Sequence, residues 1–207
     1  MRSLLVIPMI VMAIPAIAGV LELAPSQDAY ICDCEPDQTN PNGGPNVLYQ
    51  GQYGACFDRI LIQWDLSTFG TGTTINDAEM WFYCTGFYGT VSGNMTYHKI
   101  LEAWSEDTVT YNTQPDFDAP PSATASWPVM ETWHTVDITG LVQSWVDGSV
   151  ANYGVYGWCE DTTGTCDAEF ESSNDDYEAY RPKLVVDYTP AVEVIPNSLG
   201  ETKAVFK

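Results

Sequence analysis

Basic residues are scarce in this chain. Seven Lys and Arg stand against 28 Asp and Glu over 207 residues, a formal charge of −21 at pH 7. Such a field repels nucleic acid, anionic lipid headgroups and polyuronate chains. The surplus carboxylates serve either a solvated surface or a divalent cation. Histidine is scarcer still, and neither His98 nor His134 has an evident serine or cysteine nucleophile to activate. Glycine-rich phosphate loops, zinc-hydrolase motifs and EF-hand spacing are all missing. Glu106 and Asp107 are a candidate carboxylate pair for glycoside hydrolysis, but neighbours on a turn point apart. A non-enzyme with no required cofactor is therefore expected. A structural calcium ion is the one metal the acids suggest, through Asp28, Asp58, Asp65, Asp77 and the run 167–178.

Long apolar runs are absent beyond the N-terminus. Residues 1–18 join a basic Arg2 to an apolar stretch, Leu4 to Ala16, and close on Ala16-Ile17-Ala18. This reads as a secretory signal peptide cleaved after Ala18, with an uncleaved anchor as its rival. The expected product is an exported or cell-surface chain with no membrane span after cleavage. Its domain would cover 19–188 and its tail 189–207, read as a linker that favours disorder, with a sorting or attachment signal as the alternative.

Six cysteines follow: Cys32, Cys34, Cys56, Cys84, Cys159 and Cys166. An even count in an exported chain points to disulfides. Cys159 and Cys166 look like the two sides of a bridged hairpin. Cys32 and Cys34 would pair with Cys56 and Cys84 in an order that spacing leaves open. Zinc is the rival use, but no second cysteine pair at zinc-finger spacing and no suitably placed histidine completes a site.

What the chain has in quantity is short β-prone runs between Gly, Pro and Asn turns. Strands are expected at 28–34, 47–49, 58–66, 75–87, 94–100, 153–159, around Phe170, and at 181–188. In 58–66, Ile60, Ile62 and Trp64 share one face, with Arg59, Leu61 and Gln63 on the other. In 75–87, Ala78, Met80, Phe82 and Cys84 form the better core face, which turns Glu79, Trp81 and Tyr83 outward. Trp104 to Pro115 reads as a corner: Trp104 plugs the core edge, Ser105 caps a helical turn, and Val109 with Tyr111 resumes a strand until Pro115. Residues 116–127 read as a long loop. One helix is expected at about 139–147, with Thr139 as N-cap, Gly148 as stop, and an apolar stripe of Ile138, Leu141, Val142, Trp145 and Val146. The fold class is all-β: a jelly-roll-like antiparallel β-sandwich with one short helix, in one domain without repeats.

Several blocks carry a resemblance. They are Asp28-Ala-Tyr-Ile31, Arg59-Ile-Leu-Ile-Gln-Trp-Asp-Leu-Ser67, Thr74-Ile-Asn-Asp-Ala-Glu-Met80, Trp104-Ser-Glu-Asp-Thr-Val-Thr-Tyr-Asn112 with Pro115, Asp137-Ile-Thr-Gly-Leu-Val-Gln-Ser-Trp145, Asn152-Tyr-Gly154 and Arg181-Pro-Lys-Leu-Val-Val-Asp-Tyr188. In this order, over about 28–188, the chain resembles the DNRLRE domain, also classed as carbohydrate-binding module family 96. The resemblance implies a jelly-roll-like sandwich on secreted and cell-surface proteins, and members of the class bind polysaccharide, alginate among them. The cysteines are not part of that pattern.

Two functions follow as expectations. The first is a secreted, non-catalytic module that recognises polysaccharide or a cell-surface glycan on one sheet face. Outward Trp81 and Tyr83, with Tyr156 and Trp158, would form an aromatic platform if their strands are neighbours, and Arg59 and Gln63 would supply polar contacts. The competing reading of the same residues is a second small core under a loop. The alternative function is a structural cell-surface or matrix building block, an adhesin unit that meets other extracellular proteins and binds no glycan. Asn94-Met95-Thr96 is a glycosylation sequon in form.

Overall fold

The computed structural model of the protein describes residues 17–40, 46–89, 93–159, 166–196 and 202–206. The expected signal peptide falls almost wholly outside the described residues, as does the 160–165 hairpin loop. The strands are β1 (Gly19–Leu23), β2 (Pro25–Cys32), β3 (Val47–Tyr53), β4 (Cys56–Trp64), β5 (Thr74–Gly89), β6 (Met95–Lys99), β7 (Ala123–Ala125), β8 (Thr132–Asp137), β9 (Val155–Cys159), β10 (Cys166–Glu171) and β11 (Lys183–Thr189), with helix α1 at Thr139–Val146. All eleven strands belong to one sheet that runs β1-β11-β5-β10-β3-β4-β9-β6-β7, with β2 added on β4 and β8 on β5. Every pairing is antiparallel, and the path curls into a half-barrel. In the tail, β12 (Val192–Pro196) and β13 (Thr202–Phe206) form a separate antiparallel pair, so the expected linker contains secondary structure.

The alternation read from β4 and β5 is what packs the core. Ile60, Ile62 and Trp64 of β4 meet Ala78, Met80, Phe82 and Cys84 of β5, all 1 % exposed or less, in the main cluster. Phe82 sits at its centre, with ring centroids 6.2 Å from Tyr97 and 5.4 Å from Phe170. The helix lays Ile138, Val142 and Trp145 onto this cluster, with Leu141 and Val146 at its margin. Gly148 takes φ +68° and stops the helix as expected. The N-terminus differs from expectation. Ile138 is the cap residue, while the Asp137 carboxylate accepts the Thr139 N–H at 2.8 Å and the Thr139 hydroxyl accepts the Ala78 N–H. That second bond stitches the helix to β5.

Leu61 faces away from the main core, yet it is fully buried in a second cluster with Ala29, Ile31, Ile100, Val109 and Tyr156. The corner segment covers this face. Trp104 donates its ring N–H to the Tyr153 carbonyl at 2.8 Å and packs at the cluster margin. The Ser105 carbonyl, not its hydroxyl, accepts the Val109 N–H. The strand expected through Val109 and Tyr111 is instead a short 3₁₀ turn, Tyr111–Thr113. Thr110 and Thr113 close that turn reciprocally with a capping box, which satisfies donors that a strand would have paired across a ladder. Strands β1, β7 and β8 were not expected from the sequence.

Phe82→Ala would open a cavity at the point where both sides of the curl meet. A loss of about 3–5 kcal/mol is expected. Urea unfolding should show it as a lower midpoint at unchanged slope.

Candidate functional site

The structure separates the residues expected to form one platform. Tyr156 and Trp158 lie on β9, and Trp81 and Tyr83 on β5, and these strands are not neighbours. Tyr156 is 1 % exposed, stacks on Phe117 at 4.2 Å and donates its hydroxyl to Gln114. Arg59 is buried and lies over the rings of Tyr111 (4.8 Å) and Trp158 (5.5 Å). Gln63 accepts from Gln27 at 2.6 Å and donates to the Asn152 carbonyl at 2.8 Å. These four therefore belong to the second core and its rim. The corner segment covers them because Ile100, Val109 and Phe117 need an apolar surface.

Trp81 and Tyr83 remain accessible. Trp133 of β8 lies 5.8 Å from Trp81 and 5.4 Å from Tyr83, and Tyr180 stacks on Tyr83 at 4.2 Å. Lys183, paired with Glu22, lies 5.3 Å from both tryptophan rings. This strip of tilted and edge-to-face rings carries its own cation.

A concave site forms elsewhere, at the end of the sheet where β3 joins the two sides of the curl. One cross-strand row runs through five strands in register. Cys32 of β2 opposes Asp58 of β4, Asp58 opposes Gly51 of β3, Gly51 opposes Asp167 of β10, and Asp167 opposes Tyr88 of β5. Directly opposed residues in antiparallel strands project side by side. The four side chains of this row line a cleft of about 420 Å³, together with Tyr30, Cys34, Glu35, Tyr49, Tyr53 and Cys56. Tyr49 and Tyr53 flank Gly51 two residues away on either side, so all three share a face. Tyr30 meets Tyr49 edge to face at 5.2 Å, and Tyr53 meets Tyr88 at 5.8 Å. Tyr53 is 60 % exposed and Tyr88 48 %, so they form the open rim.

Gly51 is indispensable to this row. Its φ is +148°, and a Cβ there would fall 2.1 Å from the Cys166 carbonyl oxygen and 2.7 Å from the Asp167 Cα. This residue without a side chain stands in the row between two buried acids, Asp58 and Asp167. Asp58 is pushed up chiefly by burial, opposed by a hydrogen bond with Cys32, and raised further by Asp33 and Glu35. Asp167, 3 % exposed, is pushed up to about 8, first by burial and then by Asp58 and Glu169. Its Oδ1 has no hydrogen-bond partner among the described residues. Both acids move in the same direction, whereas acid–base catalysis uses two groups whose values are driven apart.

The cysteine expectation holds in part at this site. Cys34 bonds Cys56, one of the pairings left open, while Cys32 and Cys84 are thiols and not a second bridge. Cys84 is sealed in the main core and its thiol donates to the Gly86 carbonyl, whereas Cys32 lines the cleft. The sulfurs of Cys32, Cys34 and Cys56 lie within 4.8 Å of one another. Among the described residues, that is the only group of three ligand atoms at metal spacing. The acids considered for calcium are dispersed. Asp28 takes the Ser173 N–H and hydroxyl, Asp65 takes the Ser67 N–H, and Asp77 approaches Thr139. Only Asp58 and Asp167 of that set share the cleft. Glu106 accepts the Asp28 N–H at 3.0 Å and serves the corner. His134, lowered to about 4 by burial, meets the Tyr97 hydroxyl at 3.2 Å in the core.

The tyrosines of this cleft are not singled out by alternation alone. Their local signal is Tyr49-Gln-Gly-Gln-Tyr53, with like residues at strand period around a glycine. Comparison with protein families matches residues 20–188, well over half of the chain, to carbohydrate-binding module family 96. No curated protein matches the chain. Among the described residues, no helix is long and apolar enough to cross a membrane.

The Asp167 shift has a consequence for stability. Its folded value of about 8 lies above the ordinary 3.8, so between those limits the folded chain holds the extra proton. Its contribution is fully present below about pH 4 and is lost as pH rises through 8, by up to about 1.4 kcal/mol per pH unit. Glu171, raised to about 7 mainly by burial, acts in the same sense. Thermal unfolding at pH 5 and pH 8.5 should show a drop in Tm that is clearly smaller in Asp167→Asn.

Proposed function

The chain belongs to carbohydrate-binding module family 96, and on that premise we propose that it binds a glycan, without catalysis, in the tyrosine-lined cleft at the end of its sheet. The observation that carries this reading is the row Cys32–Asp58–Gly51–Asp167–Tyr88, which sets two carboxylates either side of a glycine and tyrosine rings around it. Sugar rings offer C–H faces that suit aromatic side chains and hydroxyl donors that suit carboxylate oxygens. A mostly preformed concave site with a few converging polar groups is the usual form of a small-ligand pocket.

In this reading, residues 1–18 are an export signal and the module acts outside the cell. The fold is the family's jelly-roll-like sandwich, with β1, β11, β5 and β8 facing β2, β4, β9, β6 and β7. Trp81 and Tyr83, with Trp133 and Tyr180, form a second contact for a long chain. The alternative is a structural surface unit without a glycan ligand.

A panel of immobilised oligosaccharides separates these roles. Tyr49→Ala with Tyr53→Ala should lower affinity at least tenfold, with Tm little changed. Trp81→Ala should weaken only long oligosaccharides. Wild-type protein that binds nothing on the panel would leave the structural role standing.

A further inference from the structure

The cleft is acidic, and Arg59 is the weakest of the influences on Asp58. Glu35, Asp58 and Asp167 line it, and among the described residues no Lys or Arg does. Arg59 follows Asp58 in the chain but turns to the other side of β4, onto Tyr111 and Trp158. Asp33 and Glu169 add to the field felt by the two buried acids. An acceptor with as little exposure as Asp167 Oδ1 normally has a donor, and leaving one unmade is costly. The missing partner is therefore a donor; the surrounding acids favour a cation, which would displace the proton that Asp167 holds below about pH 8 in the unliganded protein. The tyrosine rings at the walls also favour a cation over their faces.

We propose that the cleft recognises a cationic amino sugar, a glucosamine-type residue whose protonated amine lies over Gly51 between Asp58 and Asp167 and whose ring lies among Tyr30, Tyr49, Tyr53 and Tyr88. This rests on the reading of the cleft as the glycan site. An ammonium group brings three donors and one charge to the cleft. An N-acetyl group brings one donor and no charge, and a uronate brings charge of the wrong sign. Gly51, which carries no side chain, stands in register between Asp58 and Asp167. A divalent cation fits less well, because the carboxylates of the cleft do not form a three-ligand group within 4.8 Å among the described residues.

Calorimetric titration of the full chain at pH 6 tests this with four hexasaccharides: glucosamine, its N-acetylated form, glucose and a uronic acid. The glucosamine oligomer should bind at least tenfold more tightly than the other three. Asp167→Asn and Asp58→Asn should each reduce that binding at least tenfold and leave glucose binding within twofold. Asp107→Asn, which removes one exposed negative charge far along the chain, should change neither. If Asp107→Asn weakens binding as much as Asp167→Asn, general attraction to an acidic surface explains the result and the proposal fails. If neutral sugars bind as well as glucosamine and lose affinity in Tyr49→Ala, the amino-sugar specificity is wrong and the glycan cleft stands. If no sugar binds in a Tyr49-dependent way, both readings fail. Calcium alone binding in an Asp167-dependent way would also overturn the proposal, by making the acids a metal site.

Discussion

Strand β5 is the element on which the rest of the structure leans. It runs sixteen residues and is hydrogen-bonded to three others: β11 and β10 in succession along one edge, and β8 along the other. Its inward residues Ala78, Met80, Phe82 and Cys84 are fully buried, so any slip of register would move them to the opposite face. The irregularity where Glu169 opposes Gly86 and Phe170 opposes Cys84 absorbs one residue near Thr85. Beyond it, Tyr88 comes level with Asp167. The same strand thus supplies core at its middle and cleft wall at its end.

Much of this was legible as periodicity. The two strongest alternations, in β4 and β5, and the apolar stripe of α1 are local patterns, and burial follows them closely. The missed strands show where periodicity weakens. In β8, Thr132-Trp-His-Thr-Val-Asp137 puts a histidine in the core and a tryptophan outside, which inverts the usual assignment. His134 is tolerated there because burial keeps it neutral and Tyr97 meets its ring nitrogen. The cleft was illegible for a different reason. Tyr30, Tyr49, Asp58, Tyr88 and Asp167 come from five strands, and only a pairing order that joins β3 to β10 assembles them.

The fate of the outward aromatics shows how one segment can reverse a site assignment. Trp81 and Tyr156 both alternate away from the main core. Residues 100–117 then fold across β4 and β9 and seal Tyr156 and Arg59 against Phe117 and Tyr111. No comparable cover reaches β5 among the described residues, so its strip stays half open. The acidic stretch Trp104 to Pro115 looked suited to chemistry, yet its carboxylates secure backbone. Glu106 ties to Asp28, which itself holds Ser173.

Gly51 also sets how this cleft can vary. Position 51 admits no side chain, for both conformational and steric reasons. The flanking acids are locked in register, and any residue placed there must accept burial. Tyr53 and Tyr88 stand at the rim, largely in solvent and with few structural obligations. Diversification of such a module, natural or engineered, would therefore proceed by exchanging rim rings over an invariant floor. The contribution of the rim could then vary with little effect on stability, whereas selectivity set by the buried acids could not.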